Sequence, residues 1–255
     1  MMRFWPVFMR NFLVWRKLAI PSLLGNIAEP LMWLAAFGYG LGSLVGHIQT
    51  PTGAVPYLNF VASGYICMSA MNAASFEALY SVFSRMSVQR TWDGILNAPI
   101  LLKDIVLAEM LWAAFKAIFS VSAIFGVMAL MGLLGQAHVL LAWCVLLLAA
   151  VMFSAIALIF NALAQGYDFF TYYFTLFLTP MMFLSGVFFP RQQLPPWMQS
   201  VAQWLPLSLV IDVFRPLFLG QRPERAGWSL LAIVGYTAVA YAVALRLTLR
   251  RFKSG

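Results

Sequence analysis

Hydrophobic residues fall in long blocks along this chain, separated by short polar or proline-rich punctuation. A bilayer-spanning helix needs about 20 mainly apolar residues. Six blocks reach that length: 23–45, 57–83, 105–134, 140–164, 169–188 and 228–247. They predict an all-α integral membrane fold, organised as one domain over 1–255. Ahead of them, over 1–20, Phe4, Phe8, Phe12 and Trp15 share one side of a helix, and Arg3, Arg10 and Lys17 share the other. That amphipathic pattern predicts a helix lying in the membrane interface. It lacks the order of a signal peptide and is expected to stay attached.

Two stretches depart from simple spans. Within the polar stretch after 83, Val88, Trp92, Ile95, Leu96 and Pro99 recur at helical offsets and predict a short amphipathic helix. Thr91 would cap its start and Asn97-Ala98-Pro99 would stop it. Its apolar face must be buried against lipid or a partner. The second stretch, 189–227, holds Pro190, Pro195, Pro196, Pro206, Pro216 and Pro223, with apolar runs at 197–205 and 207–219 too short to cross a bilayer. Proline ends helices, so this predicts two short re-entrant helices before the last span. In the first block, Pro30 precedes a glycine ladder, Gly38, Gly42 and Gly46, whose spacing suits close helix approach, and 49–56 reads as a turn-rich loop.

Composition narrows the solvent. With 63% hydrophobic and 9% charged residues, a soluble domain of 255 residues has too little charge to cover its surface. The formal charge of +8 does not indicate nucleic acid, because the basic residues cluster at the ends of apolar blocks. Arg3, Arg10, Arg16, Lys17, Arg85, Arg90, Lys103, Arg246, Arg250, Arg251 and Lys253 fall on one side of the predicted topology. Only Arg191, Arg215, Arg222 and Arg225 fall on the other. The positive-inside rule then puts both termini in the cytoplasm and marks the outer arginines as functional or lipid-facing.

Candidate chemistry is sparse. No G-x-x-x-x-G-K-[ST] occurs, so the chain cannot itself cradle nucleotide phosphates; ATP and Mg, if used, belong to another subunit. His47, His138, Cys67 and Cys144 form no metal-ligand or nucleophile pattern, and an enzymatic role has little support. Glu29, Glu77, Glu109 and Lys116 are costly at membrane depth and need a partner, water or a headgroup-level position. The plain reading sets the glutamates at span ends. The sharper one makes Glu77 and Lys116 part of a translocation path, joined by Tyr172 and Tyr173 of the aromatic run 167–174 and by Asp212 and Arg215, three apart near the outer side. Interface-belt aromatics and structural pairing are the plainer alternatives for these four.

The run Phe183-Leu184-Ser185-Gly186-Val187-Phe188-Phe189-Pro190, with Gln193-Leu194-Pro195 and Leu205-Pro206-Leu207, resembles the signature of ABC-2-type exporter permeases. Ile211-Asp212-Val213-Phe214-Arg215-Pro216, Met68 to Glu77 and Gln89 to Leu96 resemble the nodulation-protein NodJ branch, and the likeness covers nearly the whole chain. It implies six spans and a coupling helix at Thr91, Trp92, Asp93, Ile95 and Leu96, with Asp93 where the family often has Glu. It also implies a homodimer of permeases in the bacterial inner membrane, paired with separate ABC ATPase subunits. Such exporters move lipo-oligosaccharides, polysaccharides or small amphiphiles among membrane lipids. Small-drug efflux and a non-transport assembly role stay open as alternatives.

Overall fold

The computed structural model describes residues 3–19, 32–33, 35–50, 53–133, 138–223 and 226–254. The expected start of the first span, with Glu29 and Pro30, lies outside them, as do Pro51, Thr52 and Arg225. The main helices are α1 (Trp5–Trp15), α2 (Tyr57–Phe76), α3 (Thr91–Leu96), α4 (Leu102–Leu130) and α5 (Val139–Leu163). They continue with α6 (Phe169–Leu184), α7 (Pro196–Ala202), α8 (Pro206–Phe218) and α9 (Ala226–Ser254).

Among the described residues, α4, α5 and α9 are long and apolar enough to cross a membrane, and a fourth span results if α7 and α8 are counted as one broken helix. Where the hydrophobic pattern predicts 57–83, the chain is helical but studded with Asn59, Ser63, Ser69, Asn72 and Ser75, and α2 is packed inside the protein. Helix α6 is shorter than a full span.

α5 is the hub on which α2, α4, α8 and α9 all pack. Its buried positions are rich in small residues, including Ala142, Ala149, Ala150, Ser154 and Ala157. Small side chains let helix backbones approach closely where apolar surface alone gives lipid no reason to leave.

Prolines set the 189–220 region. Pro196 and Pro206 occupy first-turn positions of α7 and α8, where a missing N–H costs nothing, and the two helices meet at a bend of 84°. Upstream, Gly186 adopts φ +79, which turns the chain sharply after α6. Gly64 of α2 makes room for that turn: a Cβ there would lie 2.7 Å from the Val187 carbonyl oxygen.

Two local expectations change. The 49–56 loop is part of an antiparallel hairpin, β1 (His47–Thr50) with β2 (Gly53–Pro56), because Ile48 and Val55 alternate inward onto Tyr57, Phe60 and Val61. The last glycine of the ladder leaves the helix. Gly46, at φ +66, ends the helical stretch before β1, a Cβ on Gly42 would press on its own helix's Phe37 carbonyl and reach Tyr57, and the side of Gly38 lies outside the described residues.

Candidate coupling network and intramembrane cavity

α1 has the aromatic stripe its periodicity predicts, but the stripe meets protein rather than lipid. Phe8 packs edge-on against Trp112 and Phe115 of α4, and Trp15 packs against Trp112, Phe115 and Phe119. Asn11, within the same stripe, is buried and donates to Glu109 Oε2 at 3.0 Å.

Glu109 is fully buried and Glu77 only 2% exposed, so both are enclosed by protein. A buried carboxylate is tolerable only with opposite charge and donors around it. Here Arg85 lies between the two. Its Nε and one Nη donate to Glu109 at 3.0 and 2.6 Å, and both Nη groups donate to Glu77 Oε1 at 3.3 Å. Glu77 also accepts from Trp112 Nε1 at 2.9 Å, from Ser81 Oγ at 2.7 Å and from Lys116 Nζ at 2.6 Å. Glu109 and Lys116 do share a face of α4, yet each pairs with a residue following α2 or within its continuation. Two carboxylates and two cations thus close a neutral cluster.

The backbone that presents this cluster is irregular. After α2 the helix widens over Glu77–Ser81 and again over Ser84–Val88, each turn admitting an extra residue. Such wide turns loosen the ordinary backbone ladder and are common at functional sites. Asn161 of α5 fills the first of them, its amide donating to the carbonyls of Ala78 and Leu79, both at 3.0 Å.

The chain then reverses through Arg90, which takes φ +50, into α3. Thr91 does not cap α3 as expected. It is the first helical residue, and its hydroxyl donates back to the Arg85 carbonyl at 2.9 Å, tying the helix to the wide turn. Trp92 is 1% exposed, stacks on Phe252 at 5.9 Å between centroids, and donates its indole N–H to Glu109 at 3.3 Å. Ile95 and Leu96 pack on the same core. The apolar face of α3 is therefore buried in its own bundle, while Asp93, Gly94 and Val88 lie exposed. A docking partner would meet that polar outer face. The last turn of α9 braces this end: Arg251 donates to the carbonyls of Asn161 and Ala162 and to Ser87 Oγ.

At the other end of the cluster, Glu77 and Lys116 line a cavity of about 430 Å³ between α2, α4 and α6. Ser69, Asn72 and Ser120 give it a polar wall, and Tyr65, Phe76, Phe174 and Met182 an apolar one. Of the aromatic run, Phe174 reaches this cavity. Tyr173 is buried against Phe160 with its hydroxyl 3.0 Å from Ser75 Oγ, and Tyr172 is 62% exposed on the outside of α6.

At the far end from α3, Asp212 and Arg215 take different partners. Asp212 pairs with Arg191. Arg215 lies over the Phe60 ring at 3.7 Å and donates to Ser63 Oγ and to the carbonyls of Phe60 and Gly186. The turn at Gly186 thereby gains a physical role: only a residue tolerant of positive φ aims that carbonyl at a buried guanidinium.

Sequence reasoning missed Arg85, Asn11, Trp112 and Asn161. Two left a signal: Arg85 lies eight residues after Glu77, on the same helical side, and Asn11 interrupts an otherwise aromatic stripe.

A family model described as "ABC-2 type transporter" matches residues 2–219. The chain is 41% identical over 245 residues to Nodulation protein J of Rhizobium meliloti (strain 1021), covering 96% of this chain and 92% of that protein. It is 40% identical over 248 residues to Nodulation protein J of Sinorhizobium fredii (strain NBRC 101917 / NGR234), covering 97% and 93%. It is also 28% identical over 208 residues to the Inner membrane transport permease YadH of Escherichia coli (strain K12), covering 80% and 78%.

Proposed function

We propose that this chain, which belongs to the ABC-2 type transporter family, is the membrane permease of an ATP-driven exporter that moves a lipo-oligosaccharide or related amphipathic glycolipid out across the bacterial inner membrane. The observation that carries the reading is the unbroken line of hydrogen bonds from α3 to the cavity, running Trp92, Glu109, Arg85, Glu77, Lys116. A force on α3 reaches the cavity wall through a rigid, fully bonded path instead of dissipating in lipid-like packing.

In this mechanism a separate ATPase subunit, carrying ATP and Mg, docks on the exposed face around Asp93 and Gly94. Its closure shifts α3; Trp92 carries Glu109, and Arg85 passes the displacement to Glu77. The salt bridge from Lys116 to Glu77 then rearranges in the cavity wall. Two permease copies form the complete path, with both termini cytoplasmic, and the broken pair α7 and α8 dips in from the outer side. The cavity's split between polar and apolar walls suits a cargo with a sugar head and an acyl tail. The resemblance to the NodJ branch of exporters is what favours that cargo over a small drug.

The test reconstitutes the permease with its ATPase partner in vesicles and measures glycolipid export per ATP hydrolysed. Trp92→Phe keeps the stack on Phe252 but removes the bond to Glu109, and is expected to retain hydrolysis while export per ATP falls at least several-fold. Asp93→Ala is expected to weaken ATPase association. Wild-type export in both variants would sink the reading.

A further inference from the structure

The outer arginines are not absorbed by the coupling path. Arg191, Arg215 and Arg222 converge on a second cavity, about 470 Å³, at the end of the bundle away from α3. Among the described residues of the lining, one carboxylate stands against these three positive charges, Asp212, which Arg191 engages. The wall therefore carries an excess of positive charge. Arg215 is held by a hydroxyl, two carbonyls and a ring, all of them neutral groups, and it lines the cavity.

Two further features define what fits. Gln221 Oε1, in the lining, is buried with no hydrogen-bond partner, and a buried acceptor left open calls for a donor from a ligand. Trp204 and Trp228, edge to face at 6.2 Å and more than half exposed, also line the cavity. Indoles at that position suit the headgroup level of a bilayer, half in lipid and half in water.

We infer that this cavity is a binding site for an anionic, hydroxyl-bearing headgroup, its acid group held by Arg215 and Arg222 and a hydroxyl donated to Gln221. The glycerol-phosphate head of a lipid has this chemistry, and so does the free polyol phosphate. The inference requires neither ATP nor export, so it stands or falls separately from the transport reading.

The experiment uses the full chain in detergent and follows tryptophan fluorescence during titration with dioctanoyl phosphatidylglycerol, dioctanoyl phosphatidylcholine and glycerol 1-phosphate. Phosphatidylglycerol is expected to bind at least tenfold tighter than phosphatidylcholine, with most of the signal lost in Trp228→Phe. Arg222→Gln, at an exposed position, and Arg215→Gln should each weaken binding about tenfold, whereas Lys17→Gln, remote from the cavity, should not. Competition by glycerol 1-phosphate supports a site that needs the headgroup alone; binding of the lipid without such competition supports a site that also needs the tails. Equal affinity for phosphatidylcholine, or undiminished binding in both arginine variants, overturns the inference.

Discussion

Arg85 joins two buried carboxylates, and its contribution follows from what its removal would leave behind. Breaking a buried ion cluster by deleting one partner costs about 3–5 kcal/mol, far more than the pair contributes relative to an apolar replacement. Arg85→Met should therefore lower the thermal unfolding midpoint sharply in detergent, read by intrinsic fluorescence. Glu109→Gln, which keeps the shape and can still accept a bond, should lower it less. Equal, small shifts would show that the cluster is not buried as described. At Gly64 the argument is steric. A Cβ there meets the backbone of Val187, which cannot swing aside, so Gly64→Ala should destabilise strongly, whereas Gly94→Ala, with nothing within 4 Å, should be neutral or stabilise α3 by up to about 1 kcal/mol. The same unfolding measurement separates the two.

At the level of elements, the wide turn after α2 and Asn161 of α5 act as a unit. Replacing Asn161 by Leu leaves the carbonyls of Ala78 and Leu79 without that donor in a dry interior, at a cost of about 1–3 kcal/mol. The expected signature is faster amide exchange confined to 77–88 and a lower unfolding midpoint; unchanged exchange there would remove Asn161 from this role. The short helix α3 illustrates how far periodicity reaches. Trp92, Ile95 and Leu96 were legible as one face, but the chain pattern does not say what covers it. The cover proved to be Phe252 and Glu109, distant in sequence, so the face open to a partner is the opposite one. The same holds for α1, whose aromatic stripe was legible as a stripe and whose neighbour, α4, was not.

For the whole molecule, the proposed orientation sets Asp93 and Arg222 on opposite sides of the membrane. With native cysteines replaced, Asp93→Cys in sealed vesicles should react with a membrane-impermeant maleimide only from the cytoplasmic face, and Arg222→Cys only from the outer face. Labelling of both from one side would overturn the proposed topology. The excess of Lys and Arg on the terminal side is what makes this outcome expected.

Hydrophobic block length, proline position and the distribution of Lys and Arg are properties of the chain itself. They specified an α-helical membrane protein and the break at Pro206, and they set the expectation for the side of the termini, because bilayer thickness and backbone hydrogen bonding act on each segment separately. The motif around Gly186 was recognisable by its resemblance to the family, although its meaning was not. Which charges meet was settled only by packing. Glu109 and Asp212 each find an arginine on another segment, Glu109 through Arg85 and Asp212 through Arg191, and Arg215, three residues from Asp212, lies instead against carbonyls from two other elements. A buried charge is satisfied by whatever donors surround it in space. Those surroundings are set by the small-residue contacts of α5 and the wide turns after α2, which no local pattern of hydrophobic and polar residues encodes.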